Sequence, residues 1–210
     1  MARPYTVIFS TMTVDGRIAD PTGYSRLSCD EDFRLQHMLR AWSDAVMVGS
    51  RTALVDDPRL TVRLSPGRSP LRVVVDSRLA VPPTARMLSV PGKGVLVTVE
   101  DHPVERLEPY TRRGVRVVAA GRGRVDLARA LEELHESLGV RRLLVEGGGG
   151  LNCALLRQGL VDEVRVTVAP QVFGAGVSIF NGDGCKSSLA LWEIRTMCGG
   201  WVHLRYRTVF

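Results

Sequence analysis

Glu146 is followed by four glycines, Gly147 to Gly150, and then by Leu151 and Asn152. Between a strand and a helix start, such a run leaves backbone N–H groups open to a phosphate, with the helix dipole behind them and no Cβ in the way. The run is neither G-x-G-x-x-G nor a loop ending in Gly-Lys-Ser/Thr, so neither of those nucleotide signatures is assigned. The bland alternative is a flexible β–α turn. Glu146 lies at the carboxyl end of its strand, the edge at which open α/β sheets bind ligands. A carboxylate there orients a ligand hydroxyl, or is simply a solvated charge. A second strand end reads Gly49-Ser50-Arg51-Thr52 and leads on to Asp56-Asp57-Pro58-Arg59-Leu60-Thr61-Val62-Arg63. Asp57, ahead of a proline, is expected to cap a turn, and Asp56 to face a cleft as a hydrogen-bond acceptor. Val75-Asp76-Ser77-Arg78 is a third strand end with small polar residues. Three such ends imply one shared groove.

Positioning these residues requires an alternating fold. Tyr5 to Phe9 is short, β-branched and aromatic, and reads as a buried strand; a polar loop is expected from there to Ser28. Ser28-Cys29-Asp30-Glu31 has capping-box spacing, which predicts a helix carrying Phe33, His37, Leu39 and Trp42. Strands follow at 45–48, 71–75, 95–99 and 115–118, with a helix over 103–113. Asp126 is placed to cap a helix whose Leu127, Leu131, Leu134 and Leu138 share one face, with Gly139 as its stop. After the strand 142–146 and a helix over 152–158, residues 161–169, 191–197 and 202–209 read as strands without intervening helices. The expected class is α/β, a mixed and mainly parallel sheet flanked by helices with an antiparallel C-terminal portion, in a single domain over 1–210. Residues 66–70 and 174–184 read as surface loops.

Composition excludes other classes. With 210 residues, 45% hydrophobic and 24% charged, the chain is neither disordered nor fibrous. Its apolar runs are far shorter than a membrane span, and residues 1–5 lead straight into a strand without an export signal. The net charge of +6 raises nucleic acid as a partner, but the arginines are scattered and lack interleaved aromatics, so a nucleic-acid module is the weakest of the readings. Cys29, Cys153, Cys185 and Cys198 form no C-x-x-C pair and read as small apolar residues, which excludes a zinc site or disulfide framework and makes the cytoplasm the default location.

Taken in order, S-T-M-T-V-D-G-R-I-A at 10–19, M-V-G-S-R-T-A-L-V-D-D-P-R-L-T-V-R at 47–63, V-V-V-D-S-R-L at 73–79, V-E-G-G-G-G-L-N at 145–152 and L-V-D-E-V at 160–164 resemble the reductase-domain family of riboflavin biosynthesis, in its free-standing archaeal form. The resemblance implies a dihydrofolate-reductase-like fold, NADPH as hydride donor, a homodimer, and reduction of a ribosylaminopyrimidine 5′-phosphate from ribosyl to ribityl. It implies Thr52, Asp56, Ser77 and Gly148, Gly149, Gly150, Leu151 and Asn152 at NADPH. It implies Arg40, Arg63 and Glu146 at the substrate, with both arginines as candidates for the 5′-phosphate and Glu146 as the candidate catalytic carboxylate. Arg78 and Arg122 are candidates for the 2′-phosphate of NADPH. No H-x-E with a later P-C-x-x-C is present, so the deaminase that accompanies many members is not expected here. A related reductase acting on another pyrimidine, pterin or carbonyl is the alternative.

Overall fold

The computed structural model describes residues 2–90 and 92–209, so Met1, Pro91 and Phe210 of the expected 1–210 domain lie outside the described residues. The strands are β1 (Tyr5–Thr13), β2 (Arg17–Ala19), β3 (Ala45–Gly49), β4 (Leu71–Val75), β5 (Gly94–Thr98), β6 (Arg116–Ala119), β7 (Arg142–Val145), β8 (Glu163–Ala169), β9 (Val177–Ser178), β10 (Ser188–Met197) and β11 (Trp201–Val209). The helices are α1 (Asp30–Trp42), α2 (Ser50–Asp56), α3 (Val104–Thr111), α4 (Leu127–Glu136) and α5 (Gly149–Arg157). Nine strands form one sheet in the order β10-β11-β8-β1-β7-β3-β4-β5-β6. From β8 to β6 every pairing is parallel, while β11 runs antiparallel to β8 and β10 antiparallel to β11. The central strands are buried on both faces, which is why Val46, Met47, Val48, Val73 and Val74 form unbroken apolar runs. One core lies under α4 and α5 and includes Leu131, Leu134 and Leu155. The other lies under α1, α2 and α3 and includes Leu39, Ala53 and Tyr110.

Local signals explain most boundaries. Asp126 caps α4 by accepting from the Arg129 amide at 3.1 Å, as its position predicts. β1 runs beyond Phe9 to Thr13 because it pairs with β8 as far as Thr13–Ala169, which puts Thr11 inside a strand rather than in the expected loop. The capping box at Ser28 does not form. Cys29 is the N-cap of α1 without a side-chain bond, and the Ser28 hydroxyl turns to Thr11 instead. Phe33 is 42% exposed and lines a cleft rather than the core.

Two further expectations are corrected. Cys29 and Cys198 form a disulfide across 169 residues. Their pairing depends on the fold bringing the start of α1 to the turn after β10, which no local spacing signals. Cys153 and Cys185 are free. Residues 174–184 are not a plain surface loop: β9 pairs with β2, and Ile179 is buried beside α5. Among the described residues, no helix is long and apolar enough to cross a membrane.

Candidate functional site

The carboxyl ends of β1, β3, β4 and β7 open onto two clefts. The first, of about 360 Å³, is bordered by Thr11 of β1, Phe33, Gln36 and Arg40 of α1, and Thr52, Leu60, Glu146 and Gly148. In its wall Glu146 leaves the end of β7 and meets Arg40 in a two-pronged ion pair, with Nε to Oε1 and Nη2 to Oε2 both at 2.6 Å. The Gln36 amide donates to Oε2 at 3.0 Å. Both charged side chains are more than nine-tenths buried, at 8% and 7% exposure. Burial alone would lower the guanidinium of Arg40, but the charge and hydrogen bonds of Glu146 outweigh it and raise it above its ordinary value. The pair is neutral as a unit, and its geometry fixes the direction in which the remaining lone pairs of Glu146 face.

Arg40, Asp56, Pro58 and Leu60 also border a neighbouring pocket that holds Arg59, Arg63, Arg86 and Asp57. Arg63 donates to the Thr61 hydroxyl at 2.8 Å. Its guanidinium is lowered by desolvation first and then by Arg40, Arg59 and Arg86, a convergence of cations that an anion would relieve. Asp57 accepts from the Arg86 amide at 2.9 Å, joining the two segments of this pocket. Among the described residues Asp56 forms no ion pair, and partial burial raises its carboxyl. The segment is pinned from below by His37, whose Nδ1 accepts from the Arg63 amide at 2.8 Å. Its imidazole is lowered to about 4 by burial first, and then by Arg40 and Arg63. His37 is therefore a neutral acceptor near pH 7.

The second cleft, of about 250 Å³, is bordered by Gly49, Ser50, Arg51, Thr52, Ser77, Arg124, Gly148, Gly150 and Leu151. Here α5 begins; the amides of Leu151 and Asn152 donate to the Gly148 carbonyl, which leaves those of Gly149 and Gly150 without an intrahelical acceptor. A Cβ on Gly148 would lie 3.0 Å from the Thr52 hydroxyl, so any other residue here requires that side chain to give way. A phosphate-bearing dinucleotide fits these donors: first-turn amides, the hydroxyls of Thr52 and Ser77, and two guanidiniums at the rim. The two clefts share Thr52 and Gly148.

Of the expected cofactor residues, Thr52, Ser77, Gly148, Gly150 and Leu151 border this second cleft. Asp56 borders the first cleft and the arginine pocket instead. Gly149 and Asn152 border neither cleft. A Cβ on Gly149 would strike the Ser178 carbonyl at 2.1 Å, so that glycine serves the packing of β9. Asn152 is fully buried and donates to the Ile179 carbonyl at 3.0 Å, holding the same segment. Arg40 and Glu146 meet in the first cleft, and Arg63 stands in the arginine pocket. Arg78 and Arg122 are not at the groove. Arg122 lies at 3.8 Å from Glu100 and 4.0 Å from Asp101. Arg51 and Arg124 occupy the rim in their place. Sequence reading also missed Gln36, Arg59 and Arg86, and it reads Phe33 only as part of a helix face.

Residues 4–203 match the RibD C-terminal domain. The 2,5-diamino-6-ribosylamino-4(3H)-pyrimidinone 5′-phosphate reductase of Methanothermobacter thermautotrophicus is 46% identical over 187 residues, which cover 87% of this chain and 86% of that protein. Among solved structures, Acinetobacter baumannii RibD has a TM-score of 0.85 at 26% identity, over 99% of this chain and 58% of that one. The chain thus spans a little over half of that protein. The Thermotoga maritima diaminohydroxyphosphoribosylaminopyrimidine deaminase/5-amino-6-(5-phosphoribosylamino)uracil reductase has a TM-score of 0.81 at 24% identity, over 99% of this chain and 57% of that one. The α/β fold expected from the resemblance, dihydrofolate-reductase-like, is the fold observed.

Proposed function

The chain belongs to the RibD C-terminal domain family, and from that premise we propose that it is an NADPH-dependent oxidoreductase that reduces the ribosyl group of a ribosylaminopyrimidine 5′-phosphate to ribityl. The observation that carries this reading is the meeting of the two clefts at Thr52 and Gly148, one built for a dinucleotide and the other bordering a pocket of converging arginines. Reduction delivers hydride to the anomeric carbon and a proton to the ring oxygen that leaves it, so the furanose opens. Bound NADPH supplies the hydride.

The chain's own residues bind and orient. First-turn amides of α5, with Thr52 and Ser77, hold the dinucleotide phosphates, and Arg51 and Arg124 face a 2′-phosphate. Arg63, with Arg59 and Arg86, takes the substrate 5′-phosphate. Arg40 is left out of that role because its Nε and Nη2 are committed to Glu146; it is a positioning residue for the carboxylate. Glu146 accepts a ribose hydroxyl on its one remaining lone pair and holds the sugar against the shared wall of the clefts. Four of its hydrogen-bond sites cannot all be free when Arg40 and Gln36 occupy three, which favours orientation over proton abstraction.

We also propose a homodimer. The bulge between Leu191 and Glu193 lets Leu191 and Ile194 pair with Tyr206 and Leu204, two residues apart on β11, so both face one side and stand exposed. The direct test is oxidation of NADPH followed at 340 nm with the ribosylaminopyrimidine phosphate. Arg51→Ala with Arg124→Ala is expected to lower the NADPH-over-NADH preference by roughly tenfold or more. An unchanged ratio would show that the preference is set elsewhere.

A further inference from the structure

The first cleft contains one large side chain that the proposed chemistry does not use. Phe33, near the start of α1, is 42% exposed, borders that cleft, and among the described residues pairs with no other ring. Gln36 and Arg40 follow it by three and seven residues, so the three side chains share one face of the helix. Gln36 and Arg40 both bond to Glu146, and all four residues border the cleft. The face is therefore ordered. At its C-terminal end Arg40 also borders the pocket of Arg59, Arg63 and Arg86, and Glu146 stands in the middle. Phe33 lies beyond, about 10 Å along the helix axis from Arg40. It borders neither the arginine pocket nor the dinucleotide cleft.

A ribosylaminopyrimidine 5′-phosphate carries its phosphate and its flat ring at opposite ends of the furanose. With the phosphate among the arginines and the sugar on Glu146, the ring extends toward Phe33. We propose that Phe33 is the stacking platform for the pyrimidine, and that it makes the site select a ribose phosphate with a planar ring at its anomeric carbon. This rests on the reductase reading above and adds to it how the ring is held. A phenyl side chain suits the task because it offers a large apolar face on only two rotatable bonds, so covering it gains area at little cost in side-chain entropy. Stacking also reads the face of a ring and not its edge, so it requires no polar partner at this end of the cleft. The exposure of Phe33 in the free protein is then removed when the ligand arrives.

The test sets the full substrate against ribose 5-phosphate, which has the sugar and the phosphate but no ring and serves as a competitive inhibitor. Phe33→Ala is expected to raise KM for the ribosylaminopyrimidine phosphate roughly tenfold or more, the range of one lost stack of a base on an aromatic side chain. The value of kcat and the KM for NADPH should stay near those of wild type, and the Ki of ribose 5-phosphate should not move. Phe33→Leu keeps an apolar side chain without a ring and should lose nearly as much, whereas Phe33→Tyr keeps the ring and should restore KM. A wild-type KM in Phe33→Leu overturns the proposal, because apolar bulk alone then suffices. A Ki for ribose 5-phosphate that rises in step with KM overturns it as well, since Phe33 then shapes the cleft for any ligand. Wild type that neither turns over the ribosylaminopyrimidine phosphate nor binds ribose 5-phosphate defeats the reductase reading, and the platform falls with it.

Discussion

Two side chains set the character of the arginine pocket beside the substrate cleft, and each makes a measurable difference. Among the described residues Arg63 forms no ion pair; its guanidinium is lowered by burial first and then by the neighbouring charges of Arg40, Arg59 and Arg86. A phosphate converts that repulsion into charge-assisted hydrogen bonds, so Arg63→Ala should cost roughly 2 to 4 kcal/mol in kcat/KM for the phosphorylated substrate. NADPH affinity should not move. An equal loss with a substrate analogue lacking the phosphate would remove Arg63 from that role. His37 acts on the same segment through protonation. Its imidazole is pushed down to about 4, chiefly by burial. An unfolded histidine titrates near 6.5, so between about pH 6.5 and 4 the unfolded chain binds a proton that the folded chain refuses. The contribution of His37 is complete above that window and is lost as pH falls through it. His37→Asn keeps an acceptor for the Arg63 amide that does not titrate, and its melting temperature should fall less than that of wild type between pH 7 and pH 5. Parallel declines in the two proteins would show that other groups govern the acid limb.

Among the elements, α5 shows how one motif carries two jobs. Gly148 keeps its backbone close to Thr52 at the meeting of the clefts, while Gly149 lets the Ser178 carbonyl of β9 pass over the helix start. Gly149→Ala should therefore destabilise by roughly 2 kcal/mol or more, because the obstructing atom is backbone and β9 must shift. Gly150→Ala meets nothing closer than the Asn181 carbonyl at 3.8 Å and should be neutral or gain up to about 1 kcal/mol from helix propensity. Urea unfolding of the two variants checks the contrast, and equal effects would deny the division of labour. The same motif shows what a sequence can disclose. Strand, glycine run and helix were legible because backbone freedom and hydrophobic periodicity are local properties. That Gly149 and Asn152 serve β9 was not, because β9 is two residues long and its partner β2 lies far away in the chain. The Arg63 and Glu146 sites were visible through residue type and strand ends. The engagement of Arg40 with Glu146 instead of a phosphate was hidden, since a helix-end arginine looks the same in either state until its neighbour is known. Ser28 misled for a related reason: its spacing to Glu31 suits a cap, but its hydroxyl meets that of Thr11, which donates to buried Asp32 in the first turn of α1.

For the whole molecule, the antiparallel end of the sheet poses the remaining problem. β10 is an edge strand of ten residues, and such an edge invites further pairing or packing unless it is covered. Some of it is guarded: Arg205 and Arg207 stack on Trp192, with guanidinium carbons 4.2 and 3.3 Å from the ring centre. The other side is not. Leu191 and Ile194 are 54% and 63% exposed there, beside half-buried Leu204. Leaving aliphatic side chains in water costs about 25 cal/mol for each Å² that a partner would cover, and a twofold contact places the same stripe against itself. The proposed homodimer gains from that burial without disturbing the catalytic clefts, which open at the carboxyl ends of β1, β3, β4 and β7. Ile194→Glu should then convert the dimer to a monomer in sedimentation velocity, because it brings two like charges together across the axis, while the monomer still binds NADPH. Wild type that sediments as a monomer at every concentration would show that the stripe is not a self-interface, and an Ile194→Glu dimer would place the contact on another face.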